Sequence, residues 1–122
     1  MEKLNAQKLH DTYTDKVISY MEQDGYKLLS RAKLKDGSVH DFVVEKHGET
    51  FQIKTLFLSG KTDIIVTLRS QVLLNRIKNR VDQSGHFVLV TNGRLYKPWK
   101  EKYEKEGIIV MDSGIRYPWN EN

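Results

Sequence analysis

Three segments of the chain repeat apolar residues with the period of an α-helix. The first carries them at four-residue spacing between about residues 6 and 23: Leu9, Tyr13, Val17 and Met21. This spacing places them on one helical face, and Asp24-Gly25 is a typical helix end. A second amphipathic segment runs from Val72 to Val81. A third has Pro98 in its first turn and Gly107 after its last, so we expect three helices.

Five other segments have the composition of β-strands. They are Tyr26 to Leu34, Val39 to Glu45, Glu49 to Phe57, Phe87 to Val90 and Ile108 to Met111. Residues 58 to 68 are ambiguous, since Ile64 to Val66 fits either a short strand or a buried connection. The resulting order, α-β-β-β-α-β-α-β, combines an antiparallel meander with crossovers. It predicts an α/β fold with a mixed sheet between helices.

Composition narrows the class of protein. The 122 residues, 39% of them apolar, suit one domain spanning residues 1–122, and no linker or repeat divides them. The chain has no cysteine and no apolar run long enough for a signal peptide or membrane span, so we expect a cytoplasmic protein without a membrane partner. A net charge of +4 favours nucleic acid without requiring it.

A predicted hairpin gathers the polar residues of greatest chemical interest. If His47-Gly48 forms its tip, Asp41 lies opposite Lys54, and Gln52 lies on the same face as Lys54. Phosphodiester hydrolysis needs a hard cation on oxygen ligands and a positive group that stabilises developing charge. Asp41 can hold that cation with the side-chain oxygen of Gln52 and the backbone carbonyl of Ile53, while Lys54 supplies the charge. The alternative is an ordinary cross-strand ion pair between Asp41 and Lys54.

The stretch from Val39 to Val44, followed by Gln52-Ile53-Lys54, resembles the core of the PD-(D/E)xK nuclease superfamily. It is most similar to the Mrr-like restriction endonucleases, in which glutamine commonly replaces the acidic residue of the last motif. Flanking segments with the same order and character extend the resemblance over most of the chain: Tyr13 to Tyr26, Phe87 to Gly93 and Trp99 to Met111. The resemblance implies a restriction-endonuclease-like fold.

The same resemblance implies roles for individual residues. Asp41 and Gln52 would be ligands of Mg²⁺, with Mn²⁺ as an alternative, and Lys54 would be catalytic. One position departs from the family, because Thr14 aligns where such nucleases often carry a glutamate in the first helix. The neighbouring Asp15 is a candidate replacement ligand, and without it the metal site is one ligand short.

Basic side chains that could contact a nucleic-acid backbone cluster around the second predicted helix. The candidates are Lys61, Arg69, Arg76, Lys78, Arg80 and Arg94. Phosphate contacts of this kind give affinity without sequence information. The alternative is that the basic side chains of the second helix form a solvated polar face and contact no phosphate. The aromatic set Tyr96, Trp99 and Tyr103 fits either a core or dimer surface, or a platform for unpaired bases.

Together these features predict a metal-dependent endodeoxyribonuclease of the restriction, repair or recombination type, acting on duplex or branched DNA. Two other functions stay open. One is a catalytically degenerate relative that binds nucleic acid or supports an assembly, and the other is an RNA-processing enzyme. No segment resembles a sequence-recognition domain. A stand-alone domain of this size would cut one strand, form a homodimer to cut two, or be directed by a partner protein that supplies specificity.

Overall fold

Three helices form where the apolar spacing predicts them. The computed structural model describes residues 6–32, 37–58, 64–65 and 70–119. Its helices are α1 (Ala6–Gln23), α2 (Ser70–Lys78) and α3 (Lys97–Lys105). All four apolar residues that define the first predicted helix are buried along α1. Within these ranges, no helix is both long and apolar enough to cross a lipid bilayer.

The strands build one mixed sheet and one small ladder. They are β1 (Lys27–Arg31), β2 (Phe42–Lys46), β3 (Glu49–Leu56), β4 (Ile64–Ile65), β5 (His86–Thr91), β6 (Arg94–Leu95) and β7 (Ile109–Asp112). The five-stranded sheet has the order β1-β2-β3-β5-β7, antiparallel from β1 to β3 and parallel from β3 to β7. The separate ladder pairs β4 with β6 in parallel. This confirms the predicted α/β architecture and identifies the ambiguous Ile64-Ile65 as a strand.

Each face of the sheet carries its own apolar core. On one face α1 packs Tyr13 and Val17 against Phe42, Ile53 and Val90. The opposite face is covered by α2 and α3 through a second cluster: Leu74, Ile77, Phe87, Leu89, Leu95, Tyr103 and Ile108. Alternate residues of β5 enter the two clusters, which explains its nearly continuous apolar sequence.

The hairpin between β2 and β3 sets the position of the candidate catalytic residues. His47 and Gly48 both have positive φ, 54° and 80°, the backbone conformation of a tight two-residue hairpin turn. The register that this turn fixes pairs Phe42 with Ile53. The backbone N–H of Asp41, one residue before β2, donates to the carbonyl of Ile53 at 2.7 Å. Asp41 is therefore held against the end of β3 that carries Lys54.

The second helix ends earlier than its apolar pattern predicts. α2 stops at Lys78, and Val81 is fully exposed instead of lying on the buried face. Side chains beyond the helix donate hydrogen bonds to its last carbonyl groups. Asn79 donates to the carbonyl of Asn75 at 2.9 Å, and Arg80 donates to that of Ile77 at 2.8 Å. These bonds satisfy the terminal carbonyl groups that a further helical turn would have used.

A glycine allows the connection from α2 to enter the sheet. Gly85 has a φ of 69° and lies directly against Thr50 of β3. A Cβ atom at this position would lie 2.7 Å from the backbone oxygen of Thr50, which no side chain tolerates. The segment 79–85 is thus pressed against β3 just before β5 begins.

Candidate active site

Asp41 and Lys54 meet at the mouth of an open cleft. The Nζ of Lys54 lies 3.5 Å from Oδ2 of Asp41, and about a fifth of each side chain is exposed. The cleft, here called the Asp41 cleft, has a volume of about 430 Å³ and is bounded by α1, residues 37–41, β3 and α2. A carboxylate and an ammonium group are therefore brought together where a ligand from solvent can reach both.

A network of hydrogen bonds fixes the Asp41 carboxylate. Its Oδ2 accepts from the backbone N–H of Thr55 at 2.7 Å and from the Thr55 hydroxyl at 2.8 Å. His10 of α1 places Nε2 2.9 Å from that hydroxyl and 3.1 Å from the carbonyl of Thr55. Since a carbonyl only accepts, Nε2 carries the proton. The orientation of Asp41 is thus set through Thr55 by His10.

Thr14 occupies the helical position at which the family resemblance would place a glutamate. It is buried, and its hydroxyl lies 2.8 Å from that of Thr55 and donates to the carbonyl of His10 at 2.9 Å. The neighbouring Asp15 is exposed, pairs with Arg31 and does not line the Asp41 cleft. α1 therefore contributes hydroxyl and imidazole groups beside Asp41. The α1 carboxylate that does line the cleft is Asp11.

Gln52 lies on the same sheet face as Lys54 but lines a neighbouring hollow. Its Nε2 donates to the carbonyl of Asp82 at 3.1 Å and lies 3.5 Å from that of Ser84. This second hollow, the Gln52 hollow, shares residues 37–40 and Arg76 with the Asp41 cleft. Among the described residues, no partner bonds to the Gln52 side-chain oxygen. The anchored nitrogen therefore leaves that oxygen available.

The basic residues expected to contact nucleic acid occupy different environments. Arg76 lines both the Asp41 cleft and the Gln52 hollow. Lys78 points elsewhere and pairs with Glu106 at 3.5 Å. Arg80 lies over the Phe87 ring at 4.8 Å, and partial burial lowers the pKa of its guanidinium. Arg94 lines a separate hollow beside α3. Lys61 and Arg69 lie outside the described residues.

Comparison with known proteins supports the fold. No protein-family model and no curated protein matches the sequence. Among solved structures, a repair endonuclease from Pyrococcus abyssi matches with a TM-score of 0.55 and 17% identity, over 92% of this chain and 49% of its own. A protein of unknown function, AF1548, matches with a TM-score of 0.62 and 16% identity, over 86% of this chain and 59% of its own. The chain has a nuclease-like fold. It spans about half the length of the two proteins that share it.

Within this nuclease-like fold, the Asp41 carboxylate beside Lys54 is suited to a hard cation bound together with a phosphate, while Gln52 lines the neighbouring hollow. Oδ1 of Asp41 and the side-chain oxygen of Gln52 have no hydrogen-bond partner in the described ranges. The carbonyl of Ile53 already accepts the Asp41 N–H at 2.7 Å. No cluster of three or more His, Cys, Asp or Glu side chains in those ranges could hold a metal by itself. Mg²⁺ commonly uses one or two protein carboxylates and completes its shell with substrate phosphate and water, so the donor set fits that mode of binding.

Sequence reasoning missed the contribution of His10 and Thr55. The spacing of His10 along the chain gives no metal-binding pattern, so the sequence alone does not identify it as a site residue. One signal was available: His10 lies one turn before Thr14, the helical position that aligns with the expected glutamate. Polar residues at that spacing on an otherwise apolar helix face predict a contact with the end of the sheet.

Proposed function

We propose that this chain is a metal-dependent endodeoxyribonuclease related to the Mrr-like restriction endonucleases, of the restriction, repair or recombination type. The observation that carries the proposal is the 3.5 Å contact between Lys54 Nζ and Asp41 Oδ2 in an open cleft. The nuclease-like fold adds support, because a repair endonuclease shares it at a TM-score of 0.55.

Asp41 provides the anionic ligand in this proposal. Its Oδ2 is occupied by the two donors of Thr55, so Oδ1 is the atom that faces a metal. Mg²⁺ or Mn²⁺, when bound, polarises the scissile phosphate and supplies an activated water. Thr55 and His10 keep the carboxylate in one orientation, which spares the reaction the cost of ordering it.

Lys54 provides the positive charge. Its ammonium group is partly buried beside Asp41, where it can donate to a phosphate oxygen as negative charge develops in the transition state. The carboxylate next to it keeps Lys54 in the cleft before substrate arrives. Arg76, which also lines the cleft, can contact a neighbouring phosphate of the same backbone.

One observation favours a second candidate function, a nucleic-acid-binding protein that has lost cleavage. Thr14 stands where related nucleases often have a glutamate, and Asp15 is paired with Arg31 outside the cleft. With Gln52 neutral, Asp41 is the main anionic ligand available to a metal. A protein of this kind would keep the basic surface at Arg76 and bind DNA without cutting it.

A plasmid-nicking assay separates these two functions. We expect nicking with Mg²⁺ or Mn²⁺ and none with EDTA, and we expect Asp41→Ala and Lys54→Ala each to lower the rate at least about a hundredfold. Lys27→Ala, which removes an exposed lysine of β1, is the matched control and should keep the rate. DNA binding without metal-dependent nicking would identify the binding protein. Nicking that persists in both cleft variants would contradict the proposed site.

A further inference from the structure

A third hollow lies beside the start of α3 and is built differently from the Asp41 cleft. This α3 hollow has a volume of about 480 Å³ and opens at the ends of β5, β6 and β7. Leu95 and Val110 provide an apolar floor, and Tyr96 stands at its side. An apolar floor of this size can accept one planar ring.

Three cations surround the floor of the α3 hollow. Arg94, Lys97 and Lys100 all line it; Arg94 is close enough to Asp112 to help lower the pKa of that carboxyl, and neither lysine has a carboxylate within ion-pair distance in the described part of the chain. The hollow also contains Asp112, but Arg116 binds both of its carboxylate oxygens at 2.9 and 2.8 Å. Positive charge is therefore left in excess, which favours an anionic ligand.

Tyr96 differs from the other aromatic residues of its segment. Tyr103 is fully buried and donates to the carbonyl of Ser70 at 2.7 Å, and this burial raises its pKa to about 12. Trp99 packs against the same core cluster. Tyr96, in contrast, is 46% exposed although it is a large aromatic residue. Its ring is the one in this set that a flat ligand can stack on.

The register of the sheet places this hollow near the Asp41 cleft. Lys54 pairs with Leu89, and Leu89 pairs with Val110, so the three residues form one rung of parallel strands. Neighbouring strands are about 4.8 Å apart, which puts the Cα atoms of Lys54 and Val110 about 10 Å from each other. Leu89 lies between them beneath α2 and α3, so a strand that joins the two sites passes around the carboxyl ends of β3, β5 and β7 and spans at least this distance, or about three stacked nucleotides at about 3.4 Å each.

We propose that the α3 hollow binds an unpaired nucleotide of a single-stranded segment in the same nucleic acid whose backbone enters the Asp41 cleft. A base stacks on Tyr96 above the floor of Leu95 and Val110, and its phosphates contact Arg94, Lys97 and Lys100. This inference rests on the proposed nuclease function. It narrows the substrate to DNA with an unpaired segment a few nucleotides from the scissile bond.

Backbone amide NMR of the full chain in EDTA tests the proposal without any cleavage. The probes are a 5′-phosphorylated thymidine tetranucleotide, thymidine monophosphate and a blunt duplex. We expect the tetranucleotide to shift the amides of Thr91, Arg94, Tyr96 and Lys97, and to bind more tightly than the monophosphate. Tyr96→Ala and Lys100→Gln should each weaken its binding about fivefold or more, since stacking and phosphate contacts are lost separately.

Two substitutions match these variants in chemistry but lie outside the hollow. Tyr20→Ala removes an equally exposed tyrosine from α1, and Lys105→Gln removes a lysine from the last turn of α3. Both should leave the affinity unchanged. An equal loss in the control variants would show that general charge or surface area, and not the hollow, binds the strand.

The other results overturn the inference in distinct ways. Shifts confined to the Asp41 cleft, or no shift with any probe, would remove the α3 hollow as a binding site. Equal affinity for the monophosphate would assign the hollow to a free nucleotide. The nicking assay decides the nuclease function separately, because it depends on Asp41 and Lys54 and not on Tyr96.

Discussion

The Asp41 cleft and the α3 hollow lie at the same edge of the sheet but handle charge in opposite ways. In the cleft, Lys54 faces Asp41 at 3.5 Å, and Asp41 accepts two further bonds from Thr55. In the hollow, Arg94 interacts with Asp112, but neither Lys97 nor Lys100 has a carboxylate within ion-pair distance in the described ranges. The central charges of the cleft are paired with each other, whereas the hollow leaves two lysines for a ligand.

This difference in charge pairing indicates a different role for the Asp41 cleft and for the α3 hollow. A carboxylate held by several donors keeps its geometry before the ligand arrives, which is what chemistry at a defined atom requires. Unpaired cations around an apolar floor offer affinity without fixed geometry, which is enough for holding a strand.

Replacement of Asp41 by asparagine should nearly abolish cleavage. The amide keeps an oxygen for the donors of Thr55, so the fold is retained, but it removes the anionic metal ligand. We expect a loss of about 10³-fold in the nicking rate. Asp11→Asn is the matched control, because Asp11 lines the same cleft and its carboxylate accepts a hydrogen bond from the exposed side chain of Gln7. A similar loss in both variants would show that overall negative charge matters and that the orientation of Asp41 does not.

Removal of the His10 imidazole should slow cleavage about fivefold while leaving DNA affinity nearly unchanged. His10→Ala deletes the donor that holds Thr55, and the loss of one such hydrogen bond costs roughly 1 kcal/mol. Steady-state kinetics should therefore show a lower kcat with an almost constant KM. His86→Ala is the control, since His86 pairs with Glu49 at the opposite end of β3. A change confined to KM would assign His10 to binding and not to positioning.

Two basic residues of α2 should contribute unequally to DNA binding. Arg76 lines the Asp41 cleft, whereas Lys78 is paired with Glu106. We expect Arg76→Gln to weaken affinity about fivefold and to reduce the slope of log affinity against log salt by about 1. Lys78→Gln should change neither quantity. Equal effects would mean that α2 contributes a general positive field and that the orientation toward the cleft is irrelevant.

The smallest effect is expected at Asp112, the internally paired charge of the α3 hollow. The hydrogen bonds from Arg116 hold the pKa of this carboxyl below its ordinary value. A lowered pKa stabilises the fold above the unfolded value, and that stability is lost as the pH falls through the folded pKa. Urea unfolding at about pH 5 and about pH 3 should show a loss that is greater in the wild type than in Arg116→Gln, by well under about 1 kcal/mol. An equal loss in both proteins would remove the ion pair as its cause.

Much of the fold follows from local patterns. The spacing of Leu9, Tyr13 and Val17 predicts α1, and the His47-Gly48 turn predicts the register that brings Asp41 to Lys54. The predicted end of α2 was wrong. A hydrophobic period cannot show that the side chains of Asn79 and Arg80 donate hydrogen bonds to the last carbonyl groups of the helix. The ladder of β4 and β6 pairs two-residue strands far apart in sequence, so no local pattern could predict it.

The candidate site was less accessible to sequence reasoning, because tertiary contacts decide where long side chains point. Strand alternation correctly placed Gln52 and Lys54 on one face, but it could not show that the Gln52 nitrogen bonds to Asp82. The charge pattern around α2 makes Arg76, Lys78 and Arg80 all candidates for phosphate contacts, because it carries no information on side-chain direction. In the folded chain Arg76 lines the cleft, Lys78 pairs with Glu106 and Arg80 packs on Phe87. The roles of Asp41, Gln52 and Lys54 stay predictions.

The bond from Gln52 to the connection before β5 also explains what a neutral residue achieves at this position. An amide offers an N–H to the backbone carbonyl of Asp82 while its oxygen stays available on the other side. A glutamate would bring a second negative oxygen toward that carbonyl and would have no hydrogen to donate at neutral pH. Replacement of Gln52 by glutamate would therefore strengthen the attraction for a cation but remove the hydrogen bond that holds the backbone at Asp82, so one side chain cannot supply both the negative charge and the anchor.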